Sequence, residues 1–220
     1  MTNYMRQPSR RLLSIAFLAT AIFAATFLAA CTAPAIGTGN IVRQEMDFGD
    51  FDEVEINDAF VVNINQGDEY RVTIEVDEAS LPYLSVRQRG DTLRIGLTPR
   101  TVFSFWNLSL TSELRAEITM PNLVGLEAHD ATRITLNGFQ TDDDVRIEVS
   151  DASTLEGDID SGETRISASD ASTIRLVGDR EDVDVEARDA SRITLVGEGR
   201  NATIRSADAS HIDMSEFPVV

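Results

Sequence analysis

Five aspartates recur along the second half of the chain at near-equal intervals: Asp130, Asp151, Asp170, Asp189 and Asp208. Each opens an Asp-Ala-Ser triplet (Asp-Ala-Thr in the first), and the intervals are 21, 19, 19 and 19 residues. If the triplets stack, their carboxylates form a ladder about 4.8 Å apart. Unneutralised neighbours at that distance repel by about 1 kcal/mol or more. Two chemistries relieve this. The expectation here is that backbone amides and the neighbouring hydroxyl hold each carboxylate, as Asx and Ser turns do. The sharper alternative is a cation ladder collecting Ca²⁺, which prefers clustered oxygens. The calcium-binding nonapeptide pattern Gly-Gly-x-Gly-x-Asp is absent.

Other reactive side chains are few. Lysine is missing, so a Schiff base, an amine nucleophile or a P-loop lysine is excluded. The two histidines, His129 and His211, lie four repeats apart, too far for one metal or one proton relay. A Ser-His-Asp arrangement at His211, Asp208 and Ser210 is formally open, but the repeat already accounts for both neighbours. Acids fall evenly on turns and outward strand positions, with no cluster that departs from the repeat. No catalytic residue, metal site or cofactor is expected, and the chain reads as a non-enzyme. Its 37 acids against 19 basic residues also argue against a nucleic-acid partner.

Two further motifs invite a binding reading. Arg89-Gly90-Asp91 spells the tripeptide that integrins recognise, but it sits between two alternating runs and reads as a hairpin turn. Phe103, Phe105 and Trp106 form an aromatic segment, expected to fold back over an open core edge.

The lone cysteine is the clearest chemical signal of the first half. Arg6, Arg10 and Arg11 precede an apolar run from Leu12 to Leu28, which is the layout of an export signal. Leu28-Ala29-Ala30-Cys31 resembles the bacterial lipobox, so cleavage is expected before Cys31 and diacylglycerol on its thiol. Several acyl chains on one residue anchor a protein durably. Ser9-Arg10-Arg11-Leu12-Leu13 partly matches a twin-arginine signal, leaving that route and general secretion both open. Removing residues 1–30 takes away three arginines and no acids, so the mature balance is 16 minus 37, or −21.

These residues must be carried by strands. From Phe51 onward apolar residues alternate with polar ones: Val54 and Ile56; Phe60, Val62 and Ile64; Val72, Ile74 and Val76; Leu93, Ile95 and Leu97. Aligning the triplets brings Ile134, Leu155, Ile174, Ile193 and Ile212 into one column, and Leu126, Ile147, Ile166, Val185 and Ile204 into another. Each unit is strand, bend, strand and acidic Gly turn, and cannot bury its apolar face alone. The expected fold is all-β: a parallel β-solenoid of 19-residue rungs behind a β-rich N-terminal portion. Its parts are a lipoprotein signal (1–30), a tether (31–40), the β-rich part (41–123) and the repeats of the same domain (124–217). Rung stacking predicts Arg165 beside Asp184, Glu186 beside Arg205 and Glu156 beside Arg175.

The chain resembles the putative auto-transporter adhesin head GIN-domain family through Gly37-Thr38-Gly39-Asn40-Ile41, Phe51-Asp52-Glu53-Val54, the run from Ala59 to Asp68 and Ile118-Thr119-Met120-Pro121-Asn122-Leu123. Members usually carry Ser-Gly-Ala/Ser where this chain has Asp-Ala-Ser. The resemblance implies a β-helical envelope protein and carries no functional residues over. The resulting expectation is a non-catalytic lipoprotein, lipid-anchored to the bacterial cell envelope, serving adhesion, binding or structure. Its partners are a membrane, through the anchor, and an unknown envelope or extracellular ligand. The alternatives are a polysaccharide-acting β-helix enzyme and a ligand-sensing lipoprotein.

Overall fold

Alternating apolar and polar residues satisfy both a core and water only as extended backbone, and strands dominate the computed structural model. It describes residues 39–98 and 113–220. The export signal, Cys31, most of the tether and the Phe103-Phe105-Trp106 segment lie outside these residues. In chain order come β1 (Ile41–Met46), β2 (Glu53–Ile56), β3 (Val61–Gln66), β4 (Arg71–Asp77), a 3-10 helix (Glu78–Tyr83), β5 (Leu84–Arg89) and β6 (Thr92–Leu97). Next are β7 (Arg115–Met120), β8 (Gly125–Ala128), β9 (Arg133–Gln140), β10 (Val145–Val149), β11 (Thr154–Asp160) and β12 (Thr164–Ala168). The last five are β13 (Thr173–Val177), β14 (Arg180–Ala187), β15 (Arg192–Val196), β16 (Gly199–Ser206) and β17 (His211–Glu216).

The strands form two mixed sheets, neither closed into a barrel. One has nine strands in the order β1-β4-β7-β3-β9-β11-β13-β15-β17; the other has eight, β16-β14-β12-β10-β8-β2-β6-β5. From β8 onward the chain alternates between sheets, and each strand pairs in parallel with its equivalent one unit away. The register sets Arg165 opposite Asp184, Glu186 opposite Arg205 and Glu156 opposite Arg175, as the 19-residue interval predicts. Arg165 reaches Asp184 at 3.8 Å. Arg205 instead turns to Asp184, and Glu186 pairs with Arg188.

The same stacking extends upstream of the triplets. Strands β2 and β3 pair in parallel with β8 and β9. The bend between them is Asp58-Ala59, so both sheets run unbroken across residues 123 and 124. Between β3 and β8 the chain makes an excursion through β4 to β7, where antiparallel pairs appear: β1 with β4, β4 with β7, and β5 with β6. The β5–β6 connection is the hairpin turn at Arg89-Gly90-Asp91, with Gly90 at φ 60°.

The apolar columns meet between the sheets. Ile134, Leu155, Ile174 and Ile193 are fully buried, as are Leu126, Ile147, Ile166 and Val185. Each such side chain contributes about 1.5–3 kcal/mol by leaving water. At the last unit the columns reach an open end, and Ile204 is 52% exposed. One of the two extra residues in the 21-residue interval is also located: the offset between β9 and β11 falls from 21 at Leu136 to 20 at Phe139. Gly138 (φ 71°) marks an extra residue in β9, where the pairing with β11 shifts register.

Candidate functional site

The Asp-Ala bends share one backbone conformation. In all six, from Asp58-Ala59 to Asp208-Ala209, both residues are left-handed, with φ between 51° and 63°. Left-handed backbone costs an alanine about 1–2 kcal/mol, whereas aspartate tolerates it better. What offsets this is hydrogen bonding along the stack. Each alanine N–H donates to the aspartate carbonyl of the next unit, as in Ala152 to Asp170 and Ala171 to Asp189, both at 2.9 Å. Within the bend the third residue closes a four-residue turn, with Ser172 N–H donating to the Ser169 carbonyl at 3.1 Å.

The third residue of each triplet explains the hydroxyl. Thr132, Ser153, Ser172 and Ser191 are buried. Ser172, Ser191 and Ser210 donate to the carbonyls of Val149, Ala168 and Ala187 in the preceding unit, at 2.8, 2.9 and 2.7 Å. A hydroxyl that must reach the neighbouring unit is a reason for Ser or Thr there, independent of any ligand.

The five aspartate side chains differ from expectation. They are exposed, and it is their backbone carbonyls that the structure uses. The hydroxyls of Ser150 and Ser169 donate to Asp151 and Asp170. Amide-held carboxylates do occur, but at the opposite corner. Asp160 accepts the Asp179 N–H and Asp179 accepts the Glu198 N–H, both at 2.9 Å and both 19 residues on. Among the described residues no three His, Cys, Asp or Glu side chains are grouped to hold a metal.

The two histidines have different neighbours. His211 acts on Asp213, whose pKa is lowered chiefly by a hydrogen bond from the Ser215 N–H. Ser210 serves the stack instead. His129 has company that the sequence reading missed: the Ser150 hydroxyl lies 2.7 Å from Nδ1. Two carboxylates flank the ring beyond hydrogen-bond reach: Glu127 at 3.7 Å from Nε2, and Asp151, which accepts from the Ser150 hydroxyl, at 4.0 Å from Nδ1.

Arg180 was also illegible, because its equivalents Ser161 and Gly199 are small. It points inward, 3% exposed, with its guanidinium 5.9 Å from the Phe217 ring centre. Nη1 donates to the Gly178 carbonyl at 2.7 Å, while Nε and Nη2 find no partner among the described residues. Burial lowers its pKa to about 10, against the pull of Asp160 and Asp179, so it stays cationic at neutral pH.

A cavity of about 750 Å³ opens along β5, β6 and the first bend. Arg87, Arg89 and Arg94 line it together with Glu55, Asp58 and Asp130. Arg94 Nε pairs with Glu55 at 3.0 Å. The Asp58 carboxylate accepts the Leu97 N–H at 2.6 Å.

The family described as putative auto-transporter adhesin, head GIN domain, matches residues 50–219. The chain belongs to that family. An adhesin head domain is a surface or envelope-associated module, and the GIN-domain match spans the excursion and the repeats alike. Among solved structures, a putative lipid binding protein from Parabacteroides distasonis is similar at a TM-score of 0.73 and 16% identity, covering 82% of this chain and 76% of that one. A putative adhesin from Parabacteroides merdae aligns at a TM-score of 0.49 and 15% identity, over 80% of this chain and 97% of that one. The descriptions name adhesins and a binding protein rather than enzymes. No curated protein matches.

Proposed function

We propose that the chain is an exported lipoprotein, anchored by acyl chains on Cys31, whose β-solenoid is a non-catalytic binding module of the cell envelope. The observation that carries the reading is how the repeats spend their polar groups. Triplet hydroxyls bond the backbone of the preceding unit and the triplet aspartates supply left-handed backbone and carbonyl acceptors to it, so the recurring Asp and Ser have a structural reason to recur. Leu28-Ala29-Ala30-Cys31 supports the anchor. Strands β1 and β17 are opposite edges of the nine-stranded sheet, eight interstrand spacings or about 38 Å apart. The test is labelled palmitate fed to cells making the full chain or its Cys31→Ser variant. The full chain should take up label and the variant should not; label persisting in the variant sinks the anchor.

A further inference from the structure

We propose that the groove beside the β5–β6 hairpin binds an acidic oligosaccharide, with Arg87 and Arg89 holding its carboxylate or sulfate groups. This deepens the binding reading above and rests on it. The starting point is a cost that the fold leaves unrelieved. Arg87 on β5 stands directly opposite Arg94 on β6, and like charges so placed destabilise a pair of strands. Arg94 is relieved by Glu55 on its other side. Arg87 makes only a hydrogen bond from Nε to the Ser85 hydroxyl, at 3.0 Å. Arg89 lies two residues on, on the same face and about 7 Å away, without a carboxylate partner among the described residues. Among the described residues strand β5 is the last of its sheet, so no further described strand brings an acid to them.

That is unusual in a chain with nearly two acids for each basic residue. The other outward arginines of the eight-stranded sheet, Arg146, Arg165 and Arg205, have carboxylates within reach, as has Arg188 just past β14; Arg180 of that sheet points inward and is buried. Two guanidinium forks side by side fit carboxylate or sulfate oxygens. Asn57, Ser85 and Gln88 line the same groove and suit hydroxyls rather than an acyl chain. The acidity of the whole surface repels long polyanions, which selects a short ligand with one or two acidic groups.

The experiment is calorimetric titration of the full lipidated protein in detergent micelles with trigalacturonate, a sulfated disaccharide and neutral maltotriose. At least one acidic sugar should bind and maltotriose should not; which one binds separates carboxylate from sulfate recognition. Arg87→Gln with Arg89→Gln should weaken binding about tenfold or more. Arg133→Gln with Arg192→Gln, on the other sheet, should leave it unchanged. Raising salt from about 50 to about 500 mM should weaken binding of the unsubstituted protein, a readout independent of any variant's folding. The proposal is overturned if neither acidic sugar binds, if maltotriose binds equally, if salt has no effect, or if the folded Arg87/Arg89 variant binds as before. None of these outcomes touches palmitate labelling at Cys31, so the two readings fail separately.

Discussion

In the repeats, from β8 to β17, each strand lies in parallel beside its equivalent in the next unit; in the excursion, from β4 to β7, β6 and β7 still stack on β2 and β3, but β4 and β5 pair antiparallel with strands of other units. The two regions share both sheets and much of one core. Equivalence in the repeats constrains every face. A residue that buries badly, or charges badly, does so in each unit. Inward columns are accordingly aliphatic, bend hydroxyls reach the next unit, and on the eight-stranded sheet the outward Arg146, Arg165 and Arg205 find acids on the same or neighbouring strands. The excursion is free of that constraint. It sets Arg87 against Arg94 and borders a cavity of about 750 Å³. Regularity specifies the scaffold, and the departure from it is where a ligand site can be afforded.

The sharpest way to break this comparison is to disturb a column. Ile174 is fully buried between Leu155 and Ile193, whereas its neighbour Thr173 faces outward. Ile174→Asp places a carboxylate between units with no partner, costing several kcal/mol, a large share of a typical ~5–15 kcal/mol stability. Thr173→Asp should shift the melting temperature little. Equal shifts in thermal melts would contradict the burial of one face.

A glycine pair probes the backbone of the two regions. At Gly197 (φ 134°) an added Cβ would lie 2.0 Å from the Gly178 carbonyl oxygen in the neighbouring unit. At Gly90 (φ 60°), on the hairpin tip, it would meet nothing within 4 Å. Gly197→Ala therefore forces two units apart and should cost about 3 kcal/mol or more, whereas Gly90→Ala pays only the left-handed penalty of about 1–2 kcal/mol. Chemical denaturation of both variants checks this. A Gly90 variant as damaged as the Gly197 one would mean the stack is no tighter than the hairpin.

Legibility follows the same division. The columns through Ile174 and Ile193, the opposite-charge registers and the turn at Gly90 could all be read from the residues, because equivalent positions repeat and alternation marks a strand. The first bend could not. Asp58-Ala59 is followed by Phe60 rather than Ser or Thr, and its next equivalent lies 72 residues on, at Asp130. Arg180 was missed because its buried site emerges only when Ser161, Gly199 and Phe217 surround it. The Arg87–Arg94 contact depends on an antiparallel register set by a turn, which no period reveals. The aspartates were assigned a role for their side chains, although the stack uses their left-handed backbone and carbonyl oxygens.

The smallest expected effect opposes an aspartate of the repeats to one that faces the excursion's hairpin tip. Asp52, just ahead of β2 and beside the hairpin tip, has a raised pKa, from partial burial first and then repulsion by Asp91 and Glu53. Asp182, on β14, has a lowered pKa, chiefly from the side-chain hydrogen bond of Asn201, 19 residues on, at 2.8 Å. The signs of linkage are opposite. A raised folded pKa means that the charged form costs stability: the contribution is fully present below the unfolded pKa and is lost as pH rises through the folded one. A lowered folded pKa means that the contribution is present above the unfolded pKa and is lost as pH falls through the folded one. Asp52→Asn should therefore raise the melting temperature slightly at pH 7, with the gain vanishing towards about pH 3. Asp182→Asn should lower it slightly at pH 7, with that loss also vanishing towards about pH 3. Both shifts are small because both carboxylates are largely solvated and screened. Melts across this pH range decide the matter: shifts of the same sign would mean that repeat and excursion treat their acids alike, and the contrast between them would not extend to charge.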